Sequence, residues 1–337
     1  MSRLKVGVIG AGAWGRNHVR TAAASSEAEL VAICETNPEV RVSLMKQYPG
    51  ATITDSPRAL LEKVEAVIVA TPATSHAELG NMAIAAGIPA LIEKPFALTV
   101  ADAERLAENA EKRGCPILVG HLLEYHPVVD RLKQMLAKSE LGDLYYLYSQ
   151  RVNLGQIRPD ENALWSFGPH DVSVALYLLG EMPVSLSAQG KSYLQRGIED
   201  VVFLNLTFDS GVMSHVQMSW LDPHKVRRLT VVGSRQMAVF DDMQPREKLT
   251  IYDKGVNRPP EYRSYGESLT IREGDIFIPR LPNVEPLTVQ FQHFIRVVRG
   301  QEKGRADHAD GVRVVRVLDA ATRSLAQGGA PVSPGRA

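Results

Sequence analysis

The chain is poor in cysteine, carries no excess charge and has no long apolar run. Only Cys34 and Cys115 occur among 337 residues. Two cysteines build no disulfide framework, and these two lack metal-ligand spacing, so a reducing compartment and no metal are expected. Lys plus Arg and Asp plus Glu number 38 each. That balance gives no global field to draw in nucleic acid or a membrane surface. The run Val6–Ile9 is too short for a signal-peptide core, and no segment approaches a membrane span. A cytoplasmic protein is the expectation. No internal repeat or low-complexity tract appears.

What the chain does have is an ordinary globular composition, 45% apolar and 23% charged, and a length that implies two domains. The first third alternates short Val/Ile-rich strands (4–9, 30–34, 51–53, 66–70, 89–92, 116–120) with helical stretches near 15–25, 38–47, 57–63, 74–86 and 99–113. Near-continuous apolar strands interleaved with helices predict a parallel sheet covered on both faces. The boundary falls at residue 121, giving domains 1–121 and 122–337. The second reads as α+β: a helix at 128–138, a strand at 144–152, a helix at 169–179, then strands at 202–208, 212–220, 226–233, 236–241 and 248–252. Val202, Leu204, Leu206 and Phe208 share one face by two-residue alternation. The stretch 253–285 reads as loop with one strand pair, and helices at 287–299 and 309–327 close the chain. The fold class is α/β, a doubly wound domain followed by an α+β domain with a large, mainly antiparallel open sheet.

The first strand runs into Gly10-Ala11-Gly12-Ala13-Trp14-Gly15. Gly10 permits the turn, Gly12 lets backbone approach a pyrophosphate, and Gly15 lets the helix pack on the strand. The amides of this turn, Ala13 and Trp14 included, face the phosphates. Glu35 closes the second strand about twenty residues on, where an acid accepts the ribose hydrogen bonds. An acid there favours NAD over its 2′-phosphorylated form, although Arg41 can reach back from the next helix.

Ligands of such sheets bind beyond the carboxyl ends of the strands. After the fourth strand come Thr71-Pro72 and His76, with Thr74 or Ser75 placed to cap a helix. After the fifth come Glu93-Lys94-Pro95. A lysine at a buried strand end is poorly explained as a surface residue. Desolvation and a neighbouring nicotinamide would lower its pKa towards proton transfer, and Glu93 can hold it in position. In the second domain Trp165-Ser166-Phe167-Gly168-Pro169-His170-Asp171 reads as the opening of a helix with Pro169 in its first turn. The helix dipole would keep His170 neutral, suiting it as a general base. Arg158, Lys225 and Arg227 can clamp a diphosphate or a carboxylate, and equally can line a solvated strand edge.

Together these segments resemble the glucose-fructose oxidoreductase / inositol dehydrogenase / MocA family over essentially the whole chain. Glu93-Lys94-Pro95 is the most specific mark, and Asp310-Gly311 before the last helix also fits. The resemblance implies NAD(P)-dependent chemistry at a sugar or polyol carbon, with Lys94 and His170 as proton-transfer residues. It also implies a second domain that builds the substrate site on one sheet face and associates into a homodimer or homotetramer through the other. Two departures stand out: Ser166 replaces the acid four residues before the histidine, and Glu124 replaces a common arginine after strand six. The missing acid turns the expectation from inositol towards the nucleotide-sugar 3-dehydrogenase branch and C3 of a UDP-linked N-acetylamino-sugar uronate. Glu124, Asn162, Trp165 and Ser166 join the three basic residues as substrate candidates. An inositol or 1,5-anhydrosugar oxidoreductase and a non-catalytic NAD-binding sensor remain as alternatives.

Overall fold

The computed structural model describes residues 2–155, 157–257 and 270–335. They form two compact units, Met1–Tyr125 with Val284–Arg316, and His126–Asn283 with Val317–Ala337.

The first unit runs β1 (Leu4–Ile9), α1 (Gly15–Ala24), β2 (Ala28–Cys34), α2 (Pro38–Gln47), β3 (Thr52–Thr54), α3 (Pro57–Leu61), β4 (Ala66–Val69), α4 (His76–Ala85), β5 (Ala90–Ile92), α5 (Val100–Arg113) and β6 (Ile117–Val119). The strands pair in the order β3-β2-β1-β4-β5-β6, all parallel. This is the doubly wound order, with its topological switch between β1 and β4. Val6, Val8, Val67, Ile68 and Leu91 are fully buried, as strands covered on both faces require. Helix starts follow local chemistry: Asn37 accepts from the amides of Glu39 and Val40 ahead of α2, and Thr99 from that of Asp102 ahead of α5.

The second unit contains α6 (Pro127–Ala137), β7 (Leu144–Val152), α7 (Ala163–Leu179), β8 (Pro183–Lys191), β9 (Val201–Phe208), β10 (Met213–Ser219), β11 (Val226–Gly233), β12 (Met237–Asp241), β13 (Leu249–Asn257) and β14 (Thr270–Phe277). One eight-stranded sheet orders them β14-β13-β12-β11-β7-β10-β9-β8. Every pairing is antiparallel except β7 with β10. Val202, Leu204, Leu206 and Phe208 are buried, and α7 packs against β7, β9 and β10.

The last helices are α8 (Pro286–Val298) and α9 (His308–Ala326). A single cut after residue 121 would give α8 to the second domain; it packs instead on α1 in the first. Phe291, Phe294 and Ile295, at helical spacing, join Val6, Val8, Val19 and Ala22 in one core.

Two other expectations change. The strand β8 was not foreseen, because only Leu186 and Ala188 alternate inward among serines, Gln189 and Gly190. The expected strand pair in 253–285 is β13 with β14, and residues 258–269 lie outside the described ones. The helix expected from Pro169 begins six residues earlier at Ala163, because the Asn162 side chain caps it by accepting from the Trp165 amide. Pro169 therefore lies inside α7, where it costs one backbone hydrogen bond. His170 sits mid-helix, so the helix-dipole argument for it does not apply.

Candidate active site

The glycine turn has the shape its spacing predicts. Gly10 has φ +89°, and a Cβ on Gly15 would come within 2.1 Å of the Gly10 carbonyl oxygen. A Cβ on Gly12 would meet nothing within 4 Å. Steric closeness thus fixes the outer two glycines, while Gly12 keeps open the space beside the turn. No side chain caps α1 at Trp14 and its first turn holds no acid, so neither competes with an anion for the exposed amides there. The cradle fits a dinucleotide pyrophosphate.

Glu35 reaches back to this turn. One oxygen accepts from the Ala11 amide at 2.8 Å and the other from the Asn37 amide at 2.9 Å. Burial alone would raise its carboxyl, but the amides of Asn37, Ala11 and Thr36 hold it below the usual carboxylate range. An ionised, acceptor-only group at the end of β2 suits ribose hydroxyls. Arg41 does reach back: its Nη1 donates to the carbonyls of Glu35 and Thr36, and its Nη2 lies 3.6 Å from Asp55.

The loops after β4 and β5 are tied together. His76 is buried, with Nδ1 2.8 Å from the Pro95 carbonyl and Nε2 2.9 Å from the Thr71 carbonyl. Both nitrogens lie against carbonyls, so this residue ties the two loops together. Thr74 and Ser75 do not cap α4; the Ser75 hydroxyl donates to Thr71 Oγ1 and to the Pro72 carbonyl. Pro72 is exposed beside it.

Glu93 is the hub. Its Oε1 accepts from Trp14 Nε1 and lies 2.8 Å from His18 Nε2, while Oε2 accepts from the Lys94 amide at 3.1 Å. Burial would raise its carboxyl, but His18, Trp14 and the Lys94 charge hold it below the ordinary range. One buried carboxylate therefore joins the glycine turn, α1 and the lysine loop. Lys94 itself is half-buried and follows Glu93 into a cis bond with Pro95.

Two residues of this neighbourhood escaped the sequence reading. His18 sits on the buried stripe of α1 with Gly15, Val19 and Ala22, a periodicity that would have pointed it at the sheet. His121 lies just beyond the carboxyl end of β6, where ligands of such sheets bind. It is 1% exposed, and burial pushes its imidazole down to about 4, with Glu93 opposing the shift and Lys94 adding to it. Gly120 leaves room for this carboxylate: a Cβ there would stand 2.8 Å from the Glu93 carboxyl. Glu124, placed with the substrate candidates, is 2% exposed within the first unit. Burial and Asp310 push its carboxyl well above the usual range, against Arg305 and Arg313, with Asp307 adding to the rise.

In the second unit, Ser166 and His170 lie one turn apart on α7. Asp171 is buried in an ion pair with Arg151 of β7, Nε to Oδ2 at 2.5 Å. Arg227 is half-buried, 5.0 Å over the Phe167 ring, and donates to the carbonyls of Val152 and Val226 and to Asn153 Oδ1. Burial, reinforced by Arg151 and offset by Asp171 and Asp242, lowers it to about 10. Asn162 is spent as the cap of α7 and a donor to Glu199, and the Trp165 indole donates to Thr322. Arg158 pairs with Glu161 at 3.0 Å, and Lys225 is exposed. Of the substrate candidates in this unit, Trp165 and Ser166 lie on α7 with His170, and Arg227 lies over the ring of Phe167 on the same helix.

Among the described residues no cluster of three or more His, Cys, Asp or Glu side chains is disposed to hold a metal, and no helix is long and apolar enough to cross a membrane.

Comparison with known proteins matches this architecture. The family model described as "Oxidoreductase family, NAD-binding Rossmann fold" matches residues 4–121, and that of the GFO/IDH/MocA C-terminal domain matches residues 129–239. A solved oxidoreductase from Magnetospirillum magnetotacticum is 34% identical, with a TM-score of 0.79, over 94% of this chain and 99% of its own. The chain belongs to the Gfo/Idh/MocA oxidoreductases and is an NAD(P)-dependent oxidoreductase whose first unit binds NAD. Among its relatives, the UDP-N-acetylglucosamine 3-dehydrogenase of Acidithiobacillus ferrooxidans is 27% identical over 95% of this chain and 96% of its own. Inositol 2-dehydrogenase 2 of Saccharopolyspora erythraea is 30% identical over 64% of this chain and 66% of its own.

Proposed function

We propose that this enzyme oxidises a ring hydroxyl of an anionic sugar, at C3 of a UDP-linked N-acetylamino sugar or its uronate. One observation carries the reading. Among the described residues the half-buried guanidinium of Arg227 donates only to neutral oxygens; burial and the Arg151 guanidinium depress it, with Asp171 and Asp242 opposing. Such a group gains most from a phosphate or carboxylate. Phe167 holds it one turn from His170. The similarity to the UDP-N-acetylglucosamine 3-dehydrogenase, which spans nearly the whole chain, supports the same reading.

Lys94 binds the reacting hydroxyl and relays its proton, and His170 is an acceptor for that same proton. Glu93 holds the lysine loop through the Lys94 amide. Gly10, Gly12, Ala13, Trp14 and Gly15 cradle the pyrophosphate, Glu35 takes the ribose, and Thr71 and Pro72 flank the cofactor. Bound NAD supplies the hydride acceptor. The outward face of the second sheet carries Tyr146, Phe203 and Met213, a surface suited to a second copy of the chain.

The test is NADH formation with UDP-N-acetylglucosamine and its uronate against free inositols and glucose. Turnover confined to the free polyols removes the nucleotide-sugar assignment and leaves the inositol reading. Tight NAD binding with no turnover of any sugar points instead to a sensor. Native mass spectrometry of the purified protein reads the subunit count and any retained nucleotide.

A further inference from the structure

Three buried polar side chains with unpaired atoms gather where β6 ends. Neither ring nitrogen of His121 has a hydrogen-bond partner among the described residues. Glu124 lies three residues on, in the short 3₁₀ turn Leu122–Tyr125 that follows His121, and its Oε2 has none either. Gln290 of α8 donates Nε2 to the Val119 carbonyl at 3.4 Å and leaves Oε1 unpaired. Leaving such atoms unpaired in the interior is costly. Native chains retain them where water, a ligand or a moving proton uses them.

The surrounding frame is ordered. The Glu124 amide donates to the His121 carbonyl at 3.1 Å, and Arg305 Nη1 donates to the Glu124 carbonyl at 2.8 Å. His121 feels the charges of Glu93 and Lys94 on one side. Glu124 feels Asp310, Asp307, Arg305 and Arg313 on the other. Exposure grows along this line, from His121 and Glu124 to the half-buried Asp310 and Asp307.

We propose that His121, Glu124 and Asp310 form a proton conduit leading from Lys94 to the surface of the first unit. The inference rests on the dehydrogenase reading above. In that reaction the carbinol C–H bond breaks, and its electron pair leaves as hydride to the oxidised cofactor. The O–H bond breaks, its proton passes to Lys94, and the carbon–oxygen double bond forms. Lys94 first hands one ammonium proton to a nitrogen of His121, so that its freed amine can take the hydroxyl proton, and the other His121 nitrogen releases one to Glu124. Glu124 takes it on one oxygen and releases one from the other to Asp310 and then to water. Ordered water closes the links between side chains. Each residue ends as it began, and the net products are ketone, reduced cofactor and one proton in solvent. A neutral imidazole and a neutral carboxylic acid suit this role because each both accepts and donates, and neither traps the proton.

Three variants of the full chain test this: Glu124→Gln, His121→Phe and His121→Gln, each checked for unchanged melting temperature. In dilute buffer kcat is expected to fall about tenfold or more, with KM and NAD affinity by calorimetry unchanged. Added imidazole buffer should restore the rate. Infrared spectra in H2O and D2O should show a protonated carboxyl at neutral pH that Glu124→Gln removes. Full activity in the variants, as expected were His170 the sole acceptor, overturns the conduit. So does a rate loss that buffer does not rescue, or an ionised Glu124. Loss of NAD affinity would make these residues cofactor ligands and also overturns it. Failure of the parent protein to oxidise any sugar overturns the dehydrogenase reading itself, which the infrared result does not depend on.

Discussion

Replacing Glu93 by glutamine should loosen the first unit by an amount its hydrogen bonds set. The carboxylate receives Trp14 Nε1 and His18 Nε2 on Oε1 and the Lys94 amide on Oε2. An amide offers one oxygen. In its better orientation that oxygen keeps Trp14 and His18, and the new NH2 meets the Lys94 N–H donor to donor. One buried donor is stranded and the ionic character of the other two bonds is lost, a cost of about 2–4 kcal/mol. Trp14 is the lone tryptophan of the first unit, so its fluorescence during urea unfolding reports the change as a lower midpoint at unchanged slope. The pH dependence has a definite sign. Glu93 in the folded chain lies below its ordinary value of 4.5, so its contribution is present above that pH and lost as pH falls through the folded value. Parent and variant should therefore converge in acid. Equal stability at neutral pH, or a gap that acid leaves unchanged, would refute Glu93 as the hub.

Lys94→Ala should leave NAD binding near the parent level while kcat falls by about two orders of magnitude or more; undiminished turnover would remove it from the mechanism. Glu35→Ala should weaken NAD and relax discrimination against NADP, because Arg41 already stands on the carbonyls of residues 35 and 36; calorimetry with both cofactors checks it. Gly12→Val should weaken NAD binding with little change in melting temperature, since its Cβ would meet only open space. Gly15→Ala should lower the melting temperature, because its Cβ would lie 2.1 Å from the Gly10 oxygen.

The first sheet was legible because β1 and β4 are runs of Val and Ile, and Gly10, Gly12 and Gly15 bracket one turn. The strand β8 was not, since serine, glutamine and glycine dilute its alternation. Asn162 could have announced the start of α7, but Pro169 offered a more conspicuous first turn. Among candidate site residues, Lys94 and Glu35 were legible as positions because both stand at strand ends. The Glu93 hub was only half seen: its neighbour in sequence was noticed, but not Trp14 and His18, which lie 79 and 75 residues away. The place of His76 between the Thr71 and Pro95 carbonyls was likewise invisible, since Pro95 lies 19 residues away. Partners distant along the chain leave no local pattern.

The return of α8 to the first unit has a consequence for biogenesis. The core that holds Val6 and Val8 is completed by Phe291, Phe294 and Ile295, which leave the ribosome long after residue 125. At roughly 5–20 residues per second, the nascent sheet waits on the order of ten seconds or more with that flank bare. During synthesis, then, the apolar flank formed by Val6, Val8, Val19 and Ala22 has no α8 to cover it until the second unit has been translated.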